Sequence, residues 1–122
     1  MTRSSAGGDP VGSRGAAPAP PCQRSLCVLV TSAATCDPLL EIARSAGIKA
    51  INCWIHLTGA GVLLSRAACF PELCALAHVS VCLESARACG VAAELRRLNP
   101  PVLVPGHRLA DLLMACDRHL TL

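Results

Sequence analysis

Leu26-Cys27-Val28-Leu29-Val30-Thr31-Ser32 is the stretch that decides the fold. Its apolar residues are continuous and give way to small polar ones. This pattern is typical of a strand that is buried on both faces, as the strands of a parallel sheet are. Asp37-Pro38 then provides a helix start, with Asp as the N-cap and Pro at the first helical position, and Gly47 is placed to end that helix. A strand followed by a helix is the first half of a βαβ unit.

The same alternation continues to the end of the chain. Further helices are predicted from 62, from 71, over 83–88, and after Pro105-Gly106, where Leu109, Leu112, Leu113 and Cys116 form an apolar stripe. The fold class is therefore α/β, a three-layer α/β/α sandwich around a mostly parallel five-stranded sheet. After the first strand, the predicted strands are 50–57, 79–82, 102–104 and 119–122.

The chain divides into a tail and one domain. Residues 1–25 are rich in Gly, Ala, Pro and Ser and contain almost no large apolar side chain. Such a segment cannot bury enough apolar surface to offset its ordering entropy, so we predict that 1–25 is a disordered Gly/Ala/Pro-rich tail. Residues 26–122 then form the folded domain, which is long enough for a small core.

Charge and aromatic content argue against two classes of partner. The net charge is +3 without a basic run, and Trp54 and Phe70 are the only aromatic residues. Nucleic-acid binding is therefore poorly supported. No stretch approaches 18 apolar residues without a charge, and the best candidate, Ala46 to Leu64, contains Lys49. We expect no nucleic-acid and no membrane partner.

The nine cysteines favour free thiols over a disulfide framework. Their number is odd, the chain is 52% hydrophobic, and no Cys-x-x-Cys pair occurs. Most are expected to be small core residues or inert surface groups in a reducing, cytoplasmic setting, with no metal site and no cofactor. A signal peptide is disfavoured because the apolar run after Arg24 is only five residues long.

Cys82 is the candidate for chemistry. In open parallel sheets, function collects at the carboxyl ends of strands, and Cys82 follows the third strand and precedes a short helix. Backbone N–H groups and Arg87 would favour its thiolate, whereas Glu84 would oppose ionisation. The residues alone leave two interpretations equally open, a reactive thiol and a buried core cysteine.

Two segments carry a resemblance to a known family. Val81-Cys82-Leu83-Glu84-Ser85-Ala86-Arg87-Ala88-Cys89-Gly90-Val91 resembles the strand–Cys–helix–Gly–Val segment of DsrE/DsrF/TusD-like sulfur-relay proteins, and Cys116-Asp117-Arg118-His119-Leu120-Thr121-Leu122 is similar to their closing helix and strand. The resemblance implies a sulfurtransferase that accepts sulfane sulfur as a persulfide on Cys82 and passes it to a partner protein. It also implies donor and acceptor proteins as partners, and a homo- or hetero-oligomer. The segment 91–107 is shorter than in the most similar members.

The remaining site predictions surround Cys82. Thr58, Gly59 and Gly61, in a loop after the second strand, and Arg87 are expected to shape its pocket. Cys36, in the first loop, is a possible secondary thiol that could approach Cys82, although an exposed bystander is favoured. The four histidines, His56, His78, His107 and His119, are interpreted as strand-end or surface imidazoles. The alternatives are a non-catalytic subunit or binding module of the same family, and a flavodoxin-like binding domain without sulfur chemistry.

Overall fold

All five strands run parallel in one sheet, in the order β4-β3-β2-β1-β5. The computed structural model describes residues 24–98 and 101–122, so nearly all of the predicted tail lies outside the described residues. Ser25, which we had placed in that tail, is the first residue of β1, and the Asn52 N–H donates to the Arg24 carbonyl at 2.8 Å. The strands are β1 Ser25–Val30, β2 Asn52–Leu57, β3 His78–Cys82, β4 Leu103–Val104 and β5 Arg118–Thr121.

The connections between the strands are helical, as predicted. β1 to β4 are added one after another in the same direction, and the chain then crosses the whole sheet to place β5 beside β1. The helices are α1 Cys36–Ile48, a 3-10 helix Gly59–Arg66, α2 Phe70–Leu76, α3 Leu83–Ala88, α4 Ala92–Leu95 and α5 Arg108–Ala115.

The two faces of the sheet differ in their cover. Because side chains alternate along a strand, Val28, Ile55 and Val81 point to one face, where they join the buried cluster with α1 to α4. We call this the covered face. His56 and Ser80 point to the other face, across which only α5 passes among the described elements. We call this the open face. None of the α5 residues is buried, in spite of their apolar stripe.

Element boundaries differ from the prediction for local reasons. Thr35, not Asp37, is the N-cap of α1, and Asp37 lies in the first turn, where its negative charge favours the helix. α1 continues one residue beyond Gly47, and the chain turns at Ala50, whose φ is 57°. β2 therefore begins two residues later than predicted. The expected loop at Gly59 is already 3-10 helix, and the short helix α4 was not foreseen.

Candidate functional site

Cys82 is the last residue of β3 and lies at a change of direction in the fold. The chain leaves β3 into α3, on the covered face, and leaves β4 into α5, on the open face. Cys82 pairs in register with Val104, the last residue of β4. Adjacent parallel strands whose connections go to opposite faces leave a crevice outside their carboxyl ends, which is where ligands bind in such sheets. This rule places the expected binding crevice of the fold beside Cys82.

The thiol of Cys82 contacts a carboxylate. Its Sγ lies 3.4 Å from Oε1 of Glu84, and the same oxygen accepts a hydrogen bond from the Gly106 N–H at 2.9 Å. A Cβ at Gly106 would lie 2.9 Å from that oxygen and 3.6 Å from the sulfur, so a larger residue here would displace the Glu84 carboxylate. Cys82 is 8% exposed. The Pro105-Gly106 turn thus holds Glu84 against a largely covered thiol.

Glu84 is held in its charged form. Its own backbone N–H, the Gly106 N–H and the Cys82 thiol all donate to the carboxylate and lower its pKa below the ordinary value of 4.5. Arg87 lowers this pKa further through its charge, but its own side chain is exposed. Arg87, predicted to assist Cys82 directly, therefore acts on the carboxylate that contacts Cys82.

The loop predicted to shape the pocket is tied to α3 through Ser85. Its hydroxyl lies 3.3 Å from Thr58 Oγ1 and accepts a hydrogen bond from the Gly59 N–H at 2.9 Å. The structure thus brings Thr58 and Gly59 to the helix that starts at Cys82. Gly61 serves packing instead, because a Cβ there would lie 2.3 Å from the Val30 carbonyl oxygen at the end of β1.

Cys36 is neither an exposed bystander nor a partner of Cys82. It forms a disulfide with Cys69, which joins the start of α1 to the residue before α2. The sequence does not reveal this pairing, because contact between cysteines 33 positions apart depends on how α1 packs against α2. The other described cysteines are free thiols: Cys27, Cys53, Cys74, Cys82, Cys89 and Cys116.

Several of these free thiols are in environments that disfavour the thiolate. Burial raises the pKa of Cys27 to about 11, with a further contribution from Cys116. Burial also raises the pKa of Cys53, Cys74 and Cys116. A raised pKa means less nucleophilic sulfur at neutral pH. The Cys89 thiol donates a weak hydrogen bond to the Gly59 carbonyl at 3.8 Å.

His56, interpreted from sequence as a strand-end or surface imidazole, lies near the end of β2 but is not at the surface. It is the fifth residue of β2 and only 1% exposed. Its Nδ1 lies 2.8 Å from the Ser80 hydroxyl on the neighbouring strand, and burial lowers its pKa. His78 is exposed and stacks on Trp54, with 4.2 Å between the ring centroids. The period-2 alternation of β2 could have predicted that His56 faces away from Ile55.

Comparison with known proteins does not identify this chain. No family model, no curated protein and no solved structure matches it. Within 24–98 and 101–122, no group of three His, Cys, Asp or Glu residues is arranged to hold a metal ion. In the same residues no single helix is long and apolar enough to cross a membrane, although the 3-10 helix and α2, bent by 102°, pass that test as a pair.

Proposed function

We propose that this protein is a sulfurtransferase of the carrier type, which accepts sulfane sulfur as a persulfide on Cys82 and passes it to a partner protein. The observation that carries the proposal is the contact between Cys82 Sγ and Glu84 Oε1 in the crevice at the ends of β3 and β4. A thiol becomes a nucleophile when it loses its proton, and Glu84 is a charged acceptor 3.4 Å away. The resemblance of the Cys82 segment to sulfur-relay proteins supports the same function.

The transfer step balances without an oxidant or a reductant. As the Cys82 sulfur attacks the outer sulfur of a donor persulfide, its proton passes transiently to Glu84, whose lowered pKa makes it too weak a base to hold the proton beforehand. A Cys82–sulfur bond forms, the sulfur–sulfur bond of the donor breaks, and the departing donor thiolate takes the proton from Glu84. Cys82 and Glu84 together carry one negative charge before and after the proton moves. The crevice therefore never holds a carboxylate and a thiolate at the same time.

Partners and compartment belong to the same proposal. Donor and acceptor proteins would reach the sulfur through the crevice, and an oligomer of this or related chains would cover apolar side chains that are now exposed, such as Met114 at 87% and Ile48 at 86%. We propose a cytoplasmic location because six of the eight described cysteines are free. The Cys36–Cys69 disulfide counts against a fully reducing compartment, because such bonds are rare in cytosolic proteins.

A second candidate function is a non-catalytic subunit or binding module. Its support is the low exposure of Cys82 together with the carboxylate beside it, an arrangement that also suits an inert, hydrogen-bonded thiol. In that case Cys82 has a structural role, and the surface recruits the partners.

Sulfur loading separates the two candidates. The reduced protein is incubated with glutathione persulfide, and each cysteine peptide is mapped by mass spectrometry. We expect the Cys82 peptide to gain one sulfur atom and the Cys82→Ser variant to gain none there. Glu84→Gln keeps the size of the side chain and an oxygen that accepts hydrogen bonds, but it removes the charge that accepts the proton. Sulfur loading of Cys82 should therefore slow by roughly a hundredfold or more.

Cys89→Ser is the matched control, since Cys89 lies at the other end of α3 and has no carboxylate contact among the described hydrogen bonds. Its loading should equal that of the wild type. Sulfur found on Cys74 or Cys89 while Cys82 stays unmodified would rule out the carrier function and leave the binding module.

A further inference from the structure

A cavity of about 260 Å³ lies between α5 and the open face of the sheet. Cys82 is not among its lining residues, although Val104, which pairs in register with Cys82, is. Strands β2, β3 and β4 form its floor, and one side of α5 forms its roof. The lining residues are Trp54, His56, Ser80, Val104, Arg108, Asp111 and Leu112.

The floor carries one largely buried polar side chain, that of His56. His56 is 1% exposed, and among the residues the structure describes its ring hydrogen-bonds only to Ser80, through Nδ1. Burial lowers the pKa of His56, so the ring is neutral at neutral pH and Nε2 can donate or accept one hydrogen bond. Nε2 makes no hydrogen bond among the described residues, so it is available to a polar ligand atom in the cavity.

The mouth carries two opposite charges. Arg108 and Asp111 are 64% and 73% exposed, and their charged groups lie 3.8 Å apart on the first turn of α5. Apolar side chains complete the lining, with Val104 on the floor and Leu112 on the roof. The Trp54 ring, fixed by its stacking on His78, offers a flat surface to a second ring.

We propose that this cavity binds a free aromatic α-amino acid with a phenolic side chain. The ligand carboxylate would pair with Arg108 and its ammonium with Asp111, while its ring lies against Trp54. Its hydroxyl would reach Nε2 of His56 at the floor. The order of groups in the cavity, an ion pair, then an apolar section, then a neutral hydrogen-bonding group, matches the order of groups along tyrosine. This binding activity is independent of the sulfur chemistry proposed for Cys82.

The protein suits a direct test, because its sequence has one Trp and no Tyr. L-Tyrosine is titrated against the wild type, with Trp54 fluorescence excited where tyrosine absorbs little. NMR then records contacts between the ligand ring and Trp54. We expect saturable binding and ring contacts. L-Phenylalanine lacks the hydroxyl, tyramine the carboxylate and 4-hydroxyphenylpropionate the ammonium, and each should bind roughly tenfold or more weakly.

Variants assign each contact. Arg108→Gln should weaken tyrosine and leave tyramine unchanged, Asp111→Asn should weaken tyrosine and leave 4-hydroxyphenylpropionate unchanged, and Leu112→Trp should abolish binding by filling the cavity. Arg44→Gln is the matched control, since Arg44 pairs with Glu72 outside this cavity. The proposal is overturned if the wild type shows no saturable response to tyrosine, if all four compounds bind alike, or if Arg44→Gln has the same effect as Arg108→Gln.

Discussion

The two faces of the sheet have the same strands but different packing. On the covered face, Ile55, Leu57 and Val81 have no exposed surface and pack under four helices. On the open face, Trp54 and Ser80 remain partly exposed under α5 alone. Hydrophobic burial on the first face therefore supplies most of the stability. The open face has a buried imidazole and a cavity, and the Cys82 side chain points to the same face.

The largest difference should appear when a leucine is truncated on each side. Leu39 of α1 is fully buried, whereas Leu112 of α5 is partly exposed. Leu39→Ala should lower the free energy of unfolding by about 2–5 kcal/mol, and Leu112→Ala by less than about 1 kcal/mol. Urea unfolding measures both. Equal losses would show that α5 packs as tightly as α1 and would remove the distinction between the faces.

A smaller effect is expected from two glycines of the covered side. Gly61→Ala places a Cβ 2.3 Å from the Val30 carbonyl oxygen, and overpacking of this kind costs roughly 1–3 kcal/mol. Gly47→Ala, near the end of α1, meets no atom within 4 Å and should raise stability by about 0.5–1 kcal/mol. The same unfolding measurement tests both. If Gly61→Ala leaves the free energy of unfolding unchanged, the 3-10 helix can move away from β1.

The smallest effect expected is the pH dependence of stability that His56, on the open face, causes. His56 has a folded pKa below its ordinary value of 6.5, so the unfolded chain takes up a proton first as the pH falls. The contribution of His56 to stability should be constant above 6.5, decrease by at most about 1.4 kcal/mol per pH unit below it, and level off below the folded pKa.

Unfolding of the wild type and of His56→Gln at several pH values tests this. The decrease should disappear in His56→Gln and persist in His107→Gln, because His107 is exposed. Glu84 loses its contribution only below 4.5, so a decrease that begins near 6.5 does not come from Glu84. A decrease that survives in His56→Gln would place the titrating group elsewhere.

Local patterns predicted the strands well and the contacts between distant residues poorly. The apolar run of β1 specified a doubly buried strand, and the alternation of strands and helices specified a parallel sheet. The stripe on α5 was predicted equally clearly, yet it buries no residue. A helical stripe predicts which side faces the sheet, but how closely the helix approaches depends on the side chains beneath it, here Trp54 and His56.

The candidate site shows the same limit. The position of Cys82 at a strand end followed from sequence, and the structure places it there. Its contact with Glu84 depends on the Gly106 N–H, 22 residues away, and Cys36 was bonded to Cys69 rather than near Cys82. Contacts of this kind depend on loop conformation and helix packing, which a short sequence pattern does not predict.

The position of β5 has a consequence for synthesis. β5 borders β1, from which it is separated by almost ninety residues, and it pairs along Leu26–Leu29. Until residues 118–121 leave the ribosome, β1 is an unprotected sheet edge beside an otherwise formed β1–β4 sheet. At about 5–20 residues per second, the chain between Val104 and Thr121 takes about 1–3 seconds to make, a period in which the exposed edge favours edge-to-edge aggregation.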